Sequence, residues 1–429
     1  MRGSSHHFVF LQGMPSPFFS QIAAELRVAG CKTTRINLCF GDFLFWRGPN
    51  AVNYRGSYRG WRDYIDHFLV REGVTDLVLL GEQRRYHREA VAAAQARGIR
   101  VTVTDFGYIR PDWITFERDG MSGASRFPRD PDAIRRLASM VRPPDWRPRF
   151  VDGAFQMAWR DLTHNFANLL FAWLYPGYRR SDQRPHTLIY TPACAWRLFT
   201  NSRLKPKADQ FVRDLVGSGA RYYVFPLQLD FDFQIIAYSG FDGVAQAIQQ
   251  VLESFAKHAP GDTKLVLKEH PWDPAITRWE RVMKAHVERL GLHGRVDYLR
   301  GGNLDDLVRA SQGMVTVNST AGMRALQLGR PLKALGQAIY DVPGLNFQGS
   351  LDEFWTDATP PDAELVADFL LALAGSVLIR GVFFEETGLR HAVEEAAQRL
   401  LNGTVGEPVS QAPLLSPNKP AHKEPVDAL

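Results

Sequence analysis

Two stretches in the C-terminal half place polar groups where apolar runs stop. In KLVLKEHPWDP the run ends at Lys268, and His270-Pro271 follow. Proline fixes its own φ and restricts the residue before it to extended geometry, so His270 is held in place. In TVNSTAGMRALQLGRPL a second run ends at Asn318, and Ser319 and Thr320 open a helix. The plainer reading is an N-cap, with hydroxyls accepting from first-turn N–H groups and Gly322 a small residue at a crowded strand–helix contact. The sharper reading is anion binding, because those N–H groups and the positive end of the helix dipole suit a phosphate. Two such strand ends in one sheet would bring an imidazole and a helix N-terminus to one phosphate.

Acidic residues mark other strand ends. In VFPLQLDFDFQI, Gln228, Asp230, Asp232 and Gln234 recur at every second position, opposite a row of apolar residues. An extended segment would put these four on one face. A carboxylate fixed there at a cleft can serve as nucleophile or stabiliser of an oxocarbenium-like centre. A metal held by Asp230-x-Asp232 is the alternative. In the first half, Asp105 follows the strand-like VTVTDF, with Gly107, Tyr108 and Arg110 just beyond. Asp42 in NLCFGDFLFW and Glu82 in LLGEQRRYH end neighbouring runs, and Arg84 and Arg85 add forks suited to carboxylate or phosphate.

These groups need a scaffold that gathers strand ends. Short apolar runs alternate with amphipathic stretches from HHFVFLQG to IRVTVTDFG, and again from ARYYVFPLQL to PLKAL. Such alternation predicts two Rossmann-like, doubly wound α/β domains facing across a cleft, with ligands beyond the carboxyl ends of the strands. The expected boundaries are 1–200 for an acceptor-side domain, 201–375 for a nucleotide-side domain, 376–402 for a final helix and 403–429 for a Pro-rich, disordered tail. The length of 429 residues suits two domains, and 45% hydrophobic with 23% charged residues is a globular profile. Three scattered cysteines fit neither a disulfide framework nor a zinc site. No apolar run reaches membrane-spanning length, and the start lacks a secretion signal. The net charge of +5 comes without a dense Lys/Arg tract, which argues against nucleic acid and leaves anionic headgroups or nucleotides.

Taken in order, LQGMPSPFF, GDFLFW, GYIRPDWITFE, PLQLDFDFQI, KEHP and VNSTAGMRALQLGRPLKALGQAIYDVPGL resemble the capsule polysaccharide biosynthesis/export proteins of Gram-negative bacteria, the KpsS/KpsC-type retaining β-Kdo transferases. A single transferase unit makes the KpsS type the nearer likeness. The resemblance implies a GT-B fold, CMP-Kdo as donor, and transfer of Kdo to a phosphatidylglycerol-type lipid by a peripheral enzyme on the cytoplasmic face of the inner membrane. It implies that His270-Pro271 and Ser319-Thr320 bind CMP and that Asp232 is the nucleophile. Asp105-Phe106-Gly107-Tyr108 corresponds to a segment where many relatives carry Glu first and some a second acid; here these positions are Asp and Phe, so Asp105 is the second catalytic candidate and the acid/base assignment stays open. Lys268, Gln228 and Asn318 on the nucleotide side, and Arg110, Asp42 and Glu82 on the acceptor side, complete the expected set. No metal or other cofactor is expected, since helix N-terminus, hydroxyls and His270 can hold a single phosphate. Elongation of a Kdo chain, transfer of another CMP-sugar such as sialic acid, and a non-catalytic export scaffold are the alternatives.

Overall fold

The computed structural model describes residues 6–46, 48–180 and 184–408; the expected tail beyond 408 lies outside the described residues. The first half contributes β1 (His7–Phe10), β2 (Lys32–Asn37), β3 (Ala51–Asn53), β4 (Asp76–Leu80), β5 (Arg100–Phe106) and β6 (Trp113–Arg118). The second contributes β7 (Tyr222–Pro226), β8 (Lys264–Lys268), β9 (Val296–Leu299), β10 (Gly313–Thr316) and β11 (Leu332–Ala334). A last strand, β12 (Leu378–Arg380), follows. Among the described residues these form two sheets, ordered β12-β6-β5-β4-β1-β2-β3 and β11-β10-β7-β8-β9.

In each sheet the first strand lies inside, and the chain winds outward to one edge before returning to the other side. That order is the Rossmann pattern, and two such units make the architecture GT-B. Every pairing in the second sheet is parallel, as the alternation predicts. Its strands are apolar on both faces because helices cover both; Tyr222, Val224 and Val266 enter one core, and Tyr223, Phe225 and Leu267 the other.

The first sheet is not wholly parallel at one edge. GYIRPDWITFE folds back as β6, antiparallel to β5, and β12 extends it antiparallel. Ile114 and Phe116 alternate into the core, and the turn is tight because Gly107 N–H donates to the Trp113 carbonyl at 2.9 Å. A side chain on Gly107 would run into that carbonyl.

The chain also crosses back. Helix Glu386–Asn402 packs Leu389, Ala392, Val393 and Ala396 against Phe18, Ile22 and Leu26 of helix Phe18–Val28, so it covers the first sheet. Helix Thr187–Gly217 runs unbroken through residue 200 and links the two halves.

Candidate functional site

The two sheets present their carboxyl ends to each other. Tyr238, beyond β7, donates its hydroxyl to Glu82, beyond β4, and Gln83 Nε2 donates to the same hydroxyl at 2.9 Å. The reversal of strand order lies between β7 and β10 in one sheet and β1 and β4 in the other, which is where open α/β sheets bind ligands. At the β7/β10 crevice Gln228 and Asn318 lock together. Gln228 Nε2 donates to Asn318 Oδ1 at 3.0 Å, and Asn318 N–H donates to Gln228 Oε1 at 3.2 Å. Asn318 Nδ2 also donates to the Gln234 carbonyl at 2.6 Å. Both side chains are buried, so they frame the crevice.

The alternating row through Asp230 and Asp232 does not form. β7 ends at Pro226, the chain turns, and Asp232 caps helix Phe233–Tyr238 by accepting from Gln234 N–H at 2.9 Å. Asp230 accepts from Val244 N–H at 3.2 Å and so serves a different helix. The ladder makes its last bond from Leu227 N–H to the Lys268 carbonyl at 2.8 Å, and the acid-rich turn that follows serves helix starts. Asp232 is the inner of the two. Burial raises its pKa and the nearby Asp105 raises it further, against hydrogen bonds from Gln234 N–H and Gln228.

Asp105 approaches from the end of β5 and accepts from Phe106 N–H at 2.7 Å. Burial raises its pKa too, opposed by that N–H and by Arg84, Arg110 and Arg184. Arg110, exposed, lies over the Phe106 ring at 4.7 Å. Two carboxyl groups from different sheets thus share one cleft, each held toward neutrality by burial.

His270 and Lys268 stand at the end of β8. His270 Nδ1 accepts from Trp272 N–H at 3.1 Å, as the His-Pro turn requires, which leaves Nε2 to carry the proton of the neutral ring. Burial, then Lys268 and Arg110, lower its pKa to about 4, so the ring is a neutral donor at physiological pH. Lys268 is 5% exposed, and burial lowers its pKa with no opposing carboxylate. Among the described residues its ammonium has no hydrogen-bond or ion-pair partner. A buried, unpaired cation is costly and suits a site that receives an anion.

At the end of β10 the cap reading holds in part. Ser319 Oγ accepts from Ala321 N–H at 3.1 Å, while Thr320, exposed, caps nothing with its side chain. Gly322 is small because Tyr340 leaves no room: a Cβ would sit 2.5 Å from the phenol, whose hydroxyl donates to the Ser319 carbonyl at 2.6 Å. Pro271 is exposed and makes the turn after His270. His270 and Ser319 flank the crevice from β8 and β10, two strand spacings or about 10 Å apart.

Asp42 stands outside this set. It is buried, accepts from Leu38 N–H at 2.9 Å and Gln12 at 3.0 Å, and faces Arg35 at 3.4 Å. Burial would raise its pKa, but His164, Arg35 and the Leu38 N–H outweigh that and hold it well below the usual carboxylate range. Cys39, Asp42 and His164 bring their ligand atoms within 4.8 Å of one another. Arg35 already neutralises this carboxylate, and burial with Asp42 keeps the Cys39 thiol protonated, so the group is a hydrogen-bonded anchor.

Sequence reasoning missed Glu117 and Tyr238. Burial pushes the Glu117 carboxyl up to about 8, and Tyr108 and Ser125 donate to it. Its strand alternation, WITFER, was the available signal. Tyr238 has none, because its partner Glu82 is distant in sequence. A cavity of about 550 Å³ beside Asn318, lined by Ser239, Gly240, Gly336, Gln337 and Asn346 among others, was not foreseen either; its size suits a nucleotide-sized ligand.

Residues 75–384 match the family described as capsule polysaccharide biosynthesis protein, and the chain belongs to that family. The capsule polysaccharide export protein KpsS of Escherichia coli is 31% identical over 387 residues, covering 89% of this chain and 97% of its own. The capsule polysaccharide modification protein LipB of Neisseria meningitidis serogroup A is 30% identical over 400 residues, covering 89% and 93%. Among solved structures, the Thermosulfurimonas dismutans KpsC β-Kdo 2,7 transferase aligns over 93% of this chain and 99% of its own, with a TM-score of 0.43 and 12% identity, a likeness too slight to carry an argument.

Proposed function

We propose that the chain is a retaining β-Kdo transferase that moves Kdo from CMP-Kdo to a phosphatidylglycerol-type lipid at the inner membrane surface, founding the linker of a capsular polysaccharide. The observation that carries this is the pair Asp105 and Asp232, two carboxyls of raised pKa entering one cleft from different sheets. The CMP phosphate lies between His270 Nε2–H and the Ser319-Thr320 turn, with the unpaired Lys268 ammonium supplying the countercharge. Asp232 attacks the anomeric carbon as the bond to the CMP phosphate breaks, and CMP leaves with the electron pair. Asp105 then takes the proton of the acceptor hydroxyl, whose oxygen attacks the same carbon and displaces Asp232. Two inversions give retention. Raised pKa values suit a group that alternates between acid and base.

Incubation with CMP-Kdo and a fluorescent lysophosphatidylglycerol, read by mass spectrometry and NMR of the linkage, tests it. A single β-linked Kdo on the lipid supports the proposal. Transfer only to a lipid already carrying Kdo would make the chain an elongating enzyme, transfer only from another CMP-sugar would change the donor, and no transfer would favour a scaffold.

A further inference from the structure

Helix Ala154–Leu170 is amphipathic, but it is turned inside out. Apart from Met157, which packs against the first-sheet core, its protein-facing side is polar: Gln156 donates to the Phe384 carbonyl at 2.9 Å, Asn168 accepts from Gly41 N–H at 2.6 Å, and His164 stands 3.7 Å from Asp42. Its outer side is apolar. Phe155, Trp159, Leu162, Phe166 and Leu170 follow at spacings of four, three, four and four, which is one helical stripe. Phe155 is 83% exposed, Trp159 62%, Phe166 48% and Leu170 70%, and Trp173 just beyond is 73% exposed. The start of helix Thr187–Gly217 adds Leu188 and Ile189, 60% and 58% exposed. A soluble surface rarely carries such a contiguous apolar patch without a partner.

Charge says which partner. Residues 154–196 carry four Arg against two Asp, a net +2, and exposed Arg147, Arg203, Lys205 and Lys207 lie to either side of them in sequence. Aromatic and aliphatic side chains rimmed by arginine are what a helix lying in an anionic bilayer interface requires. The patch also adjoins the cleft. Tyr190 packs edge-on to Phe231 at 5.9 Å, next to Asp232, and the Arg184 charge reaches Asp105.

We propose that the outer face of residues 154–173, together with residues 187–196, is a docking surface that seats in an anionic phospholipid bilayer and sets the cleft mouth at headgroup level. The proposal rests on the lipid-acceptor reading only for why the cleft faces the bilayer. Its grounds in burial and charge are separate. The flanking arginines bring the protein to the surface, and the stripe then buries in the acyl boundary.

The test is flotation of the full chain with vesicles of phosphatidylcholine alone or with phosphatidylglycerol added, for wild type and for a Phe155→Ser, Trp159→Ser, Leu170→Ser variant. All three positions are exposed, so the fold should survive, and circular dichroism with thermal melting checks that. The wild type should float with the anionic vesicles and weaken with salt, since screening acts within about 10 Å at 0.1 M. The variant should partition at least roughly a hundredfold less. Transfer to a micellar short-chain acceptor should be unchanged in the variant while transfer to vesicle-embedded acceptor falls. Equal partitioning of variant and wild type overturns the proposal. So does a wild type that ignores vesicles and sediments as a dimer that the variant dissolves, because the stripe is then a contact between copies. So does a wild type that ignores vesicles as a monomer, which leaves the stripe to a protein partner. Absence of transfer to either acceptor, with vesicle binding intact, defeats the proposed activity and not the docking surface.

Discussion

Lys268→Met should make the protein more stable and less able to hold the nucleotide. Lys268 is 5% exposed at the end of β8, in the row of Lys264 and Val266, and among the described residues no carboxylate offsets its charge. Burial of an unpaired ammonium costs several kcal/mol even after relaxation, and methionine keeps the length and the packing of the stem. The apo variant should therefore gain at least about 1 kcal/mol. The same charge, turned to a phosphate, contributes a charge-assisted hydrogen bond of about 1.5–3 kcal/mol. Its loss should weaken CMP binding by roughly ten- to a hundredfold. Denaturant unfolding of the apo protein and calorimetric titration with CMP read the two effects separately. A variant that loses stability while binding CMP as well as wild type would refute the reasoning, for Lys268 would then be a structural residue with an unrecognised partner.

His270→Ala removes the Nε2 donor and should cost CMP affinity about 1.5–3 kcal/mol by the same titration, with little change in folding. Asp232→Asn should leave CMP binding nearly intact and cut turnover about a thousandfold or more, and a Kdo adduct trapped on wild type should map to the peptide containing Asp232; an adduct elsewhere names another nucleophile. Glu117, whose folded pKa is raised from 4.5 to about 8, binds a proton that the unfolded chain releases, so its contribution is present below pH 4.5 and lost as pH rises through 8. At about 1.4 kcal/mol per unit the upper bound is roughly 5 kcal/mol, and melting temperatures across pH 5 to 8.5 should fall less steeply in Glu117→Gln than in wild type. Gly322→Ala puts a Cβ 2.5 Å from the Tyr340 ring and should destabilise by about 1–3 kcal/mol in denaturant unfolding, where an unchanged midpoint would show that Tyr340 can yield.

What was legible in the sequence was local. Apolar runs that stop at Lys268 and Asn318 place those residues at strand ends, because a buried parallel strand shows itself as a run and its end as the first polar group. Asp232 misled because an Asp-Phe-Asp-Phe alternation looks like an extended face, yet the ladder ends at Leu227, and an Asp ahead of FQIIAY is also a helix cap. Gln228 with Asn318, Glu82 with Tyr238 and Gly322 with Tyr340 are pairs, and no single-site pattern announces a partner that only folding brings near. The return of helix Glu386–Asn402 to the first sheet was equally silent: amphipathicity says that a helix has a partner, not which sheet it covers.

Helix Ala154–Leu170 shows the limit of that argument most sharply. FQMAWRDLTHNFANLL has the period of a surface helix, and in water its apolar stripe would turn inward. Here Gly41 N–H finds its acceptor in Asn168, and His164 stands beside the buried Asp42, so the polar side of the helix is engaged inward. The stripe is then forced outward. Periodicity fixes that two faces differ, while the demand of the neighbouring backbone fixes which one is inside. An inversion of this kind costs stability in water, and seating the outer face in a bilayer interface removes that cost, which is the physical content of the docking proposal.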